Sequence, residues 1–177
     1  MVRFATVLLL LAVRSQATVV EKINFEDLVS RSEQIVVGRV QRQWVSWGPE
    51  KRFIWTRTEV SVESVLKGQP ARTITVSEPG GELDGQRMVV AGAVSYATGE
   101  RVTLFLHRMP TNDLRTVGWT QGKFLIADDG RIHPAQTADL SLLAKKTSGT
   151  DISKLDGATV SELRSRVHSL APKGSGR

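Results

Sequence analysis

The chain has 177 residues, 40% of them hydrophobic and 24% charged, with 15 glycines, 6 prolines and no cysteine. This excludes a coiled coil, a collagen-like chain, a disulfide scaffold and a wholly disordered protein, and the length suffices to bury about two thirds of the unfolded chain's surface without metal or disulfide staples. A formal charge of +6 describes a solvated surface better than a nucleic-acid machine.

In chain order, residues 1–17 read as a cleaved secretory leader. Arg3 gives a positive start, Phe4 to Val13 is an apolar run, and Ser15-Gln16-Ala17 places small residues where signal peptidase reads. The run is too short for a transmembrane anchor, which needs about 20 apolar residues. The mature chain is expected to begin near Thr18, to be soluble, and to carry +4 from 22 basic and 18 acidic residues. Export without disulfides suits a bacterial periplasmic or secreted protein, because oxidising compartments permit disulfides without requiring them.

Asn24 caps a short helix, with Asp27 three residues on and Phe25, Leu28 and Val29 on one face. From Gln34 the pattern turns extended. Ile35 to Val40 leads into Trp44-Val45-Ser46-Trp47, and Gly48-Pro49 breaks the run. Phe53 to Leu66 alternates apolar and polar residues, as a strand with one wet face does. Lys67 to Pro70 turns, Thr73 to Val76 is a third strand, and Pro79-Gly80-Gly81 ends it. Met88 to Val90, Val102 to Leu106, Leu114 to Val117, Lys123 to Ile126 and Arg131-Ile132 continue the series, with turns at Thr111-Asn112-Asp113 and Asp128-Asp129-Gly130. Seven or eight short strands with no helices between them predict a mainly β, antiparallel barrel or sandwich, and Gly38 inside a strand predicts a bulge or corner.

The barrel domain is read over 18–134 and a linker with a C-terminal helical segment over 135–170. Asp139 to Lys146 is a weak helix and Thr147 to Gly157 a polar linker. Thr159 to Glu162 is a capping box opening a last helix with Val160, Leu163, Val167 and Leu170 on one side, and 171–177 is a frayed tail.

Several of these stretches resemble a group of exported bacterial proteins that share a pattern rather than a known activity. They are Val37-Gly38-Arg39-Val40, Thr58 to Val62 running into Val65-Leu66-Lys67-Gly68, Pro79-Gly80-Gly81, Gly99 to Val102 before Phe105-Leu106, Gly118 with Gln121 to Phe124, and Leu163-Arg164. The first two also look like the opening of netrin-like domains and tissue inhibitors of metalloproteinases. That resemblance implies an OB-like five-stranded barrel, here flanked by the short N-terminal helix and the C-terminal helix read above. It also implies inhibition through the mature N-terminus, here Thr18 or its neighbour, bound to a protease zinc. The family's terminal residue is a disulfide-pinned cysteine, which this chain lacks, so only the architecture carries over residue by residue.

Catalytic patterns are scarce. His107, His133 and His168 lack metal-ligand spacing, no serine stands in a G-x-S-x-G elbow, and a cysteine nucleophile is impossible. Glu59 and Glu63, four strand residues apart, are about 13 Å from each other, beyond the roughly 5 to 9.5 Å used in glycoside hydrolysis. Glu78, Glu82 and Asp84 around Pro79-Gly80-Gly81 offer too few ordered ligands for a calcium loop. No catalytic residue, metal or cofactor is assigned.

The concentrated feature is the first hairpin, where Arg39, Arg42, Lys51, Arg52 and Arg57 interleave with Trp44, Trp47, Phe53 and Trp55. Rings stack and guanidinium groups both stack and pair, so such surfaces bind macromolecules; the bland reading is that the rings fill a core while the cations solvate an edge. Trp44, Trp47, Arg52, Phe53 and Trp55 are the candidate binding residues. The expected function is a non-enzymatic exported domain that binds a protein or cell-envelope partner, in its sharper form an inhibitor-like partner of an exported protease. Nucleic acid is disfavoured by export. The alternative is an exported enzyme with its site near Pro79-Gly80-Gly81.

Overall fold

The computed structural model describes residues 22–135 and 149–170. The leader, Thr18, the helix expected over 139–146 and the tail lie outside the described residues. The elements are α1 (Phe25–Arg31), β1 (Gln34–Trp47), β2 (Ile54–Lys67), β3 (Thr73–Pro79), β4 (Gly81–Leu83), β5 (Gln86–Met88), β6 (Arg101–Arg108), β7 (Leu114–Thr116), β8 (Lys123–Ile126), β9 (Ile132–Pro134) and α2 (Val160–Leu170), with short 3-10 turns at Pro49–Lys51, Trp119–Gly122 and Ile152–Leu155. The expected Met88 to Val90 strand stops at Met88, and Val89 is 76% exposed.

Strands β1-β2-β3-β7-β6 form a ring that closes through β1 against β6, giving a five-stranded OB-like barrel; β8 and β9 extend the sheet from β6, and β4 with β5 makes a separate ribbon. The barrel is not antiparallel all round. A ring of five strands cannot alternate direction throughout, and the odd pair here is β3 with β7, parallel and joined at Val76 and Leu114. That seam is the shortest ladder in the ring.

Two apolar cores flank the wall made by β1 and β6. Val36, Val40, Val60, Ile74, Val76, Val102, Leu104, Leu106 and Leu114 fill the barrel with Val94 and Tyr96 of the loop between β5 and β6. Ile35, Val37 and Phe105, on the opposite face, pack outside it with Phe25, Leu28, Phe124, Leu155, Leu163 and Val167. Residues alternate between the faces of a strand, so a strand covered on both sides must be apolar at every position. This is why Ile35-Val36-Val37 and Leu104-Phe105-Leu106 run unbroken, Thr103 beside them being the buried polar exception.

β1 bends where expected. The register against β2 shifts between Val37 and Gly38, and a Cβ on Gly38 would lie 2.5 Å from the Ser61 carbonyl oxygen. No other residue fits so close an approach of two backbones.

Both helix caps form as the sequence implies. The Asn24 side chain accepts from the Asp27 amide at 2.7 Å, and the Thr159 hydroxyl accepts from the Glu162 amide at 3.2 Å while the Glu162 carboxylate accepts from the Thr159 amide at 2.7 Å. The described part of the expected polar linker is tied to the barrel. Phe25 donates its amide to the Thr150 carbonyl at 2.8 Å, Thr150 bonds the Glu26 carboxylate, Asp151 pairs with Lys22, and Leu155 is fully buried. These contacts seat α2 beside α1 and the Leu66 end of β2.

Candidate binding surface

β1 and β2 stay paired beyond the point where β1 leaves β6, which is Arg39 opposite Arg101. In this extension Arg42 faces Glu59, Trp44 faces Arg57 and Ser46 faces Trp55 across the hairpin. These six residues share the outer face. The Arg42 guanidinium lies 5.1 Å from the Trp44 ring and donates to Glu59 at 2.9 Å, and Arg57 donates to the Ser46 hydroxyl. The bond from Arg42 holds the Glu59 carboxyl below the usual carboxylate range.

Val45, Trp47, Ile54 and Thr56 turn to the other face, where the β4–β5 ribbon packs. Gly81, at φ +133°, approaches so closely that a Cβ would sit 2.8 Å from Thr56 Oγ1 and 3.0 Å from Val45 Cγ1. Thr56 donates to the Gly80 carbonyl at 2.8 Å, and the Trp47 indole donates to Asp84 at 2.9 Å. The Pro79-Gly80-Gly81 loop is thus a buttress beneath the aromatic hairpin, and the two loci that the sequence sets apart as rivals adjoin.

The outer face continues past β3. Arg115 on β7 places its guanidinium 5.4 Å from the Trp55 ring and 5.3 Å from the Trp119 ring, so it is held between two indoles. A stripe therefore runs Arg42, Trp44, Arg57, Trp55, Arg115, Trp119, with cations alternating with rings across three strands. Trp119 sits at φ +59°, a backbone region that costs a bulky residue of order 1 to 3 kcal/mol; its stacking on Arg115 helps to hold it there.

Behind Arg115 lies Glu78, 3% exposed, at the parallel seam. One carboxylate oxygen accepts the Thr116 amide at 2.9 Å, replacing a ladder bond that β3 and β7 do not make. The other lies 3.9 Å from Arg115 Nε, and neither of those two atoms has a hydrogen-bond partner among the described residues. Tyr96 closes the site from within, its hydroxyl 2.7 Å from that of Thr116. Burial pushes the Glu78 carboxyl up, against the opposing pull of Thr116 and Arg115.

A carboxyl raised by folding holds its proton more tightly in the folded chain than in the unfolded one. Its contribution to stability therefore falls as pH rises from the ordinary carboxylate range through the raised value. Glu78→Gln keeps an acceptor for the Thr116 amide and removes the titration. Unfolding free energies measured from about pH 4 to about pH 8 are expected to converge or cross in favour of the variant as pH rises; parallel curves would contradict this assignment.

Of the five candidate residues, Trp44 is 36% exposed and Phe53, at the hairpin tip, 51% exposed. Arg52 is exposed, while Trp47 and Trp55 are half-buried by Asp84 and Arg115. Sequence reasoning missed Glu78 as a seam residue, and Arg115 and Trp119 altogether. His107 is half-buried in β6 opposite Arg115, and burial pushes its pKa down. His133 bonds Asp156 at 2.7 Å. Among the described residues no group of three or more His, Cys, Asp or Glu side chains is placed to hold a metal ion, and no helix is long and apolar enough to cross a membrane. No protein-family model, curated protein or solved structure matches this chain.

Proposed function

We propose that this chain is a non-enzymatic binding domain that engages a protein or cell-envelope partner through the outer face of the β1–β2 hairpin. The observation that carries this reading is the alternation of guanidinium groups and indoles from Arg42 to Trp119, with Trp44 and Phe53 left open to solvent. Arg42 on Trp44, and Arg115 between Trp55 and Trp119, hold those rings by stacking and so present rigid aromatic area at low entropic cost, which is what interface anchors need. The secretory pattern of residues 1–17 supports an encounter outside the cytoplasm. The inhibitor-like form of the reading draws on the netrin-like rhythm of Val37 to Val40 and Val65 to Gly68.

The test is purification of the exported chain with its stoichiometric partner, followed by titration of that partner against Trp44→Ala/Phe53→Ala. Anchors at interface centres contribute about 2 kcal/mol or more, so affinity is expected to fall roughly thirtyfold or more with the melting temperature nearly unchanged. Unaltered affinity would reject the surface. Hydrolase turnover abolished by Glu82→Ala would favour the enzyme reading instead.

A further inference from the structure

We propose that the free edge of β1, residues 41–47, is a strand-addition site for an acidic, extended segment of the partner protein. This rests on the binding reading above and adds the mode of contact. Among the described residues β1 pairs with β6 only from Gln34 to Arg39, whereas β2 accompanies it as far as Trp47. Beyond a register shift at Gln41, one side of β1 therefore has no neighbouring strand among the described residues.

The ladder shows which groups that side offers. The Gly48 amide donates to the Phe53 carbonyl at 2.8 Å, so bonded and non-bonded pairs must alternate back from there. Ser46, Trp44 and Arg42 then bond β2, and the amides and carbonyls of Gln43, Val45 and Trp47 face outward. The other flank of β2 agrees, because the Ile54 carbonyl accepts the Gly80 amide at 2.8 Å, away from β1.

Exposed edges are ordinarily blunted by proline, lysine, inward-pointing charge or a covering loop, since a row of unmet backbone groups recruits other chains. Residues 41–47 contain no proline and no lysine, and Arg42 is the one charge among them. Gln41 to Trp44 are exposed at four successive positions. The loop before β6 reaches the start of this edge, where the Gln43 side chain donates to the Tyr96 carbonyl at 2.8 Å, but no strand among the described residues covers it from Trp44 to Trp47.

Charge names the occupant. From 39 to 59 the sequence holds five cations, Arg39, Arg42, Lys51, Arg52 and Arg57, against Glu50 and Glu59. Side chains directly opposite on adjacent strands interact most strongly, and opposite charges and aromatic pairs favour pairing. An added strand thus gains from a carboxylate facing Arg42 and an apolar residue facing Trp44. A second copy of this chain would bring the same cationic hairpin against itself.

The experiment selects a displayed library of short random peptides against the full chain and measures the enriched peptides on three variants. Val45→Pro deletes an outward amide and spares the bonds to β2, since proline is tolerated where its missing N–H faces away from the ladder. Arg42→Glu reverses the charge, and Trp44→Ala removes the ring. Acidic, alternating peptides that lose about tenfold or more in affinity to both Val45→Pro and Arg42→Glu are expected. Neutral or basic winners, or no winners, would overturn the proposal.

Affinity that survives Val45→Pro but falls on Trp44→Ala would reject strand addition and leave the binding face standing; affinity that survives all three variants would reject both. Self-association abolished by Val45→Pro would make a second copy the occupant and overturn the acidic partner. If Val45→Pro does not fold, hydrogen exchange on the unaltered chain decides, because the bound peptide must slow the amides of Gln43, Val45 and Trp47. Unchanged exchange there overturns the proposal.

Discussion

Replacing Arg115 with alanine is expected to destabilise the protein by about 3 kcal/mol at neutral pH, the low end of what breaking a buried charge pair costs. Arg115 is 17% exposed and sits between Trp55 and Trp119, with Glu78 behind it. Its loss leaves a buried carboxylate without the cation beside it and two rings without their common partner. A carboxylate can escape by taking up a proton, so the penalty should shrink in acid.

In a Glu78→Gln background the charge contribution is already gone. There Arg115→Ala should cost only the stacking, about 1 kcal/mol. Urea unfolding of the four proteins in this double-mutant cycle measures the coupling. Equal penalties in both backgrounds would show that Arg115 supports the rings and has no bearing on the seam.

Phe105→Ala should lower stability by about 3 to 5 kcal/mol, a large part of the roughly 5 to 15 kcal/mol that holds a domain together. Phe105 has no exposed surface, meets Phe25 edge-on at 6.3 Å and 81°, and lies 5.6 Å from Phe124. It is the point where α1, β6 and β8 converge, and close-packed surroundings relax only partly around a lost ring. Leu104 and Leu106 face the barrel interior and keep their own packing. The variant should therefore lose the docking of α1 and α2 first, seen as early hydrogen exchange in both helices ahead of the ring strands. A penalty below about 1 kcal/mol would mean that the outer core is dispensable.

The barrel was legible because its signals are local. Alternation marked β2, β-branched and aromatic residues marked β1, glycine and proline marked the turns, and the caps at Asn24 and Thr159 marked both helices. The parallel seam was not legible, since it follows from ring closure among five strands and no stretch of sequence announces it. The site was half legible for the same reason. The cations and rings between Arg39 and Arg57 are dense enough to notice, but Arg115, with Trp119 on it, reaches Trp55 only because β7 returns beside β3. Trp119 is the fourth tryptophan of the chain, and its place with the others comes from topology. Glu78 looked like one of three acids around a glycine turn, whereas burial and the Thr116 amide make it part of the barrel wall.

The most direct test of the binding surface is site-specific photo-crosslinking in producing cells. One probe replaces Phe53 at the hairpin tip, and the control replaces Arg166, exposed on α2 at the opposite, Leu66 end of the barrel. A discrete adduct from position 53 that is absent from position 166 is the predicted result. An adduct from position 166 with none from position 53 would contradict the account.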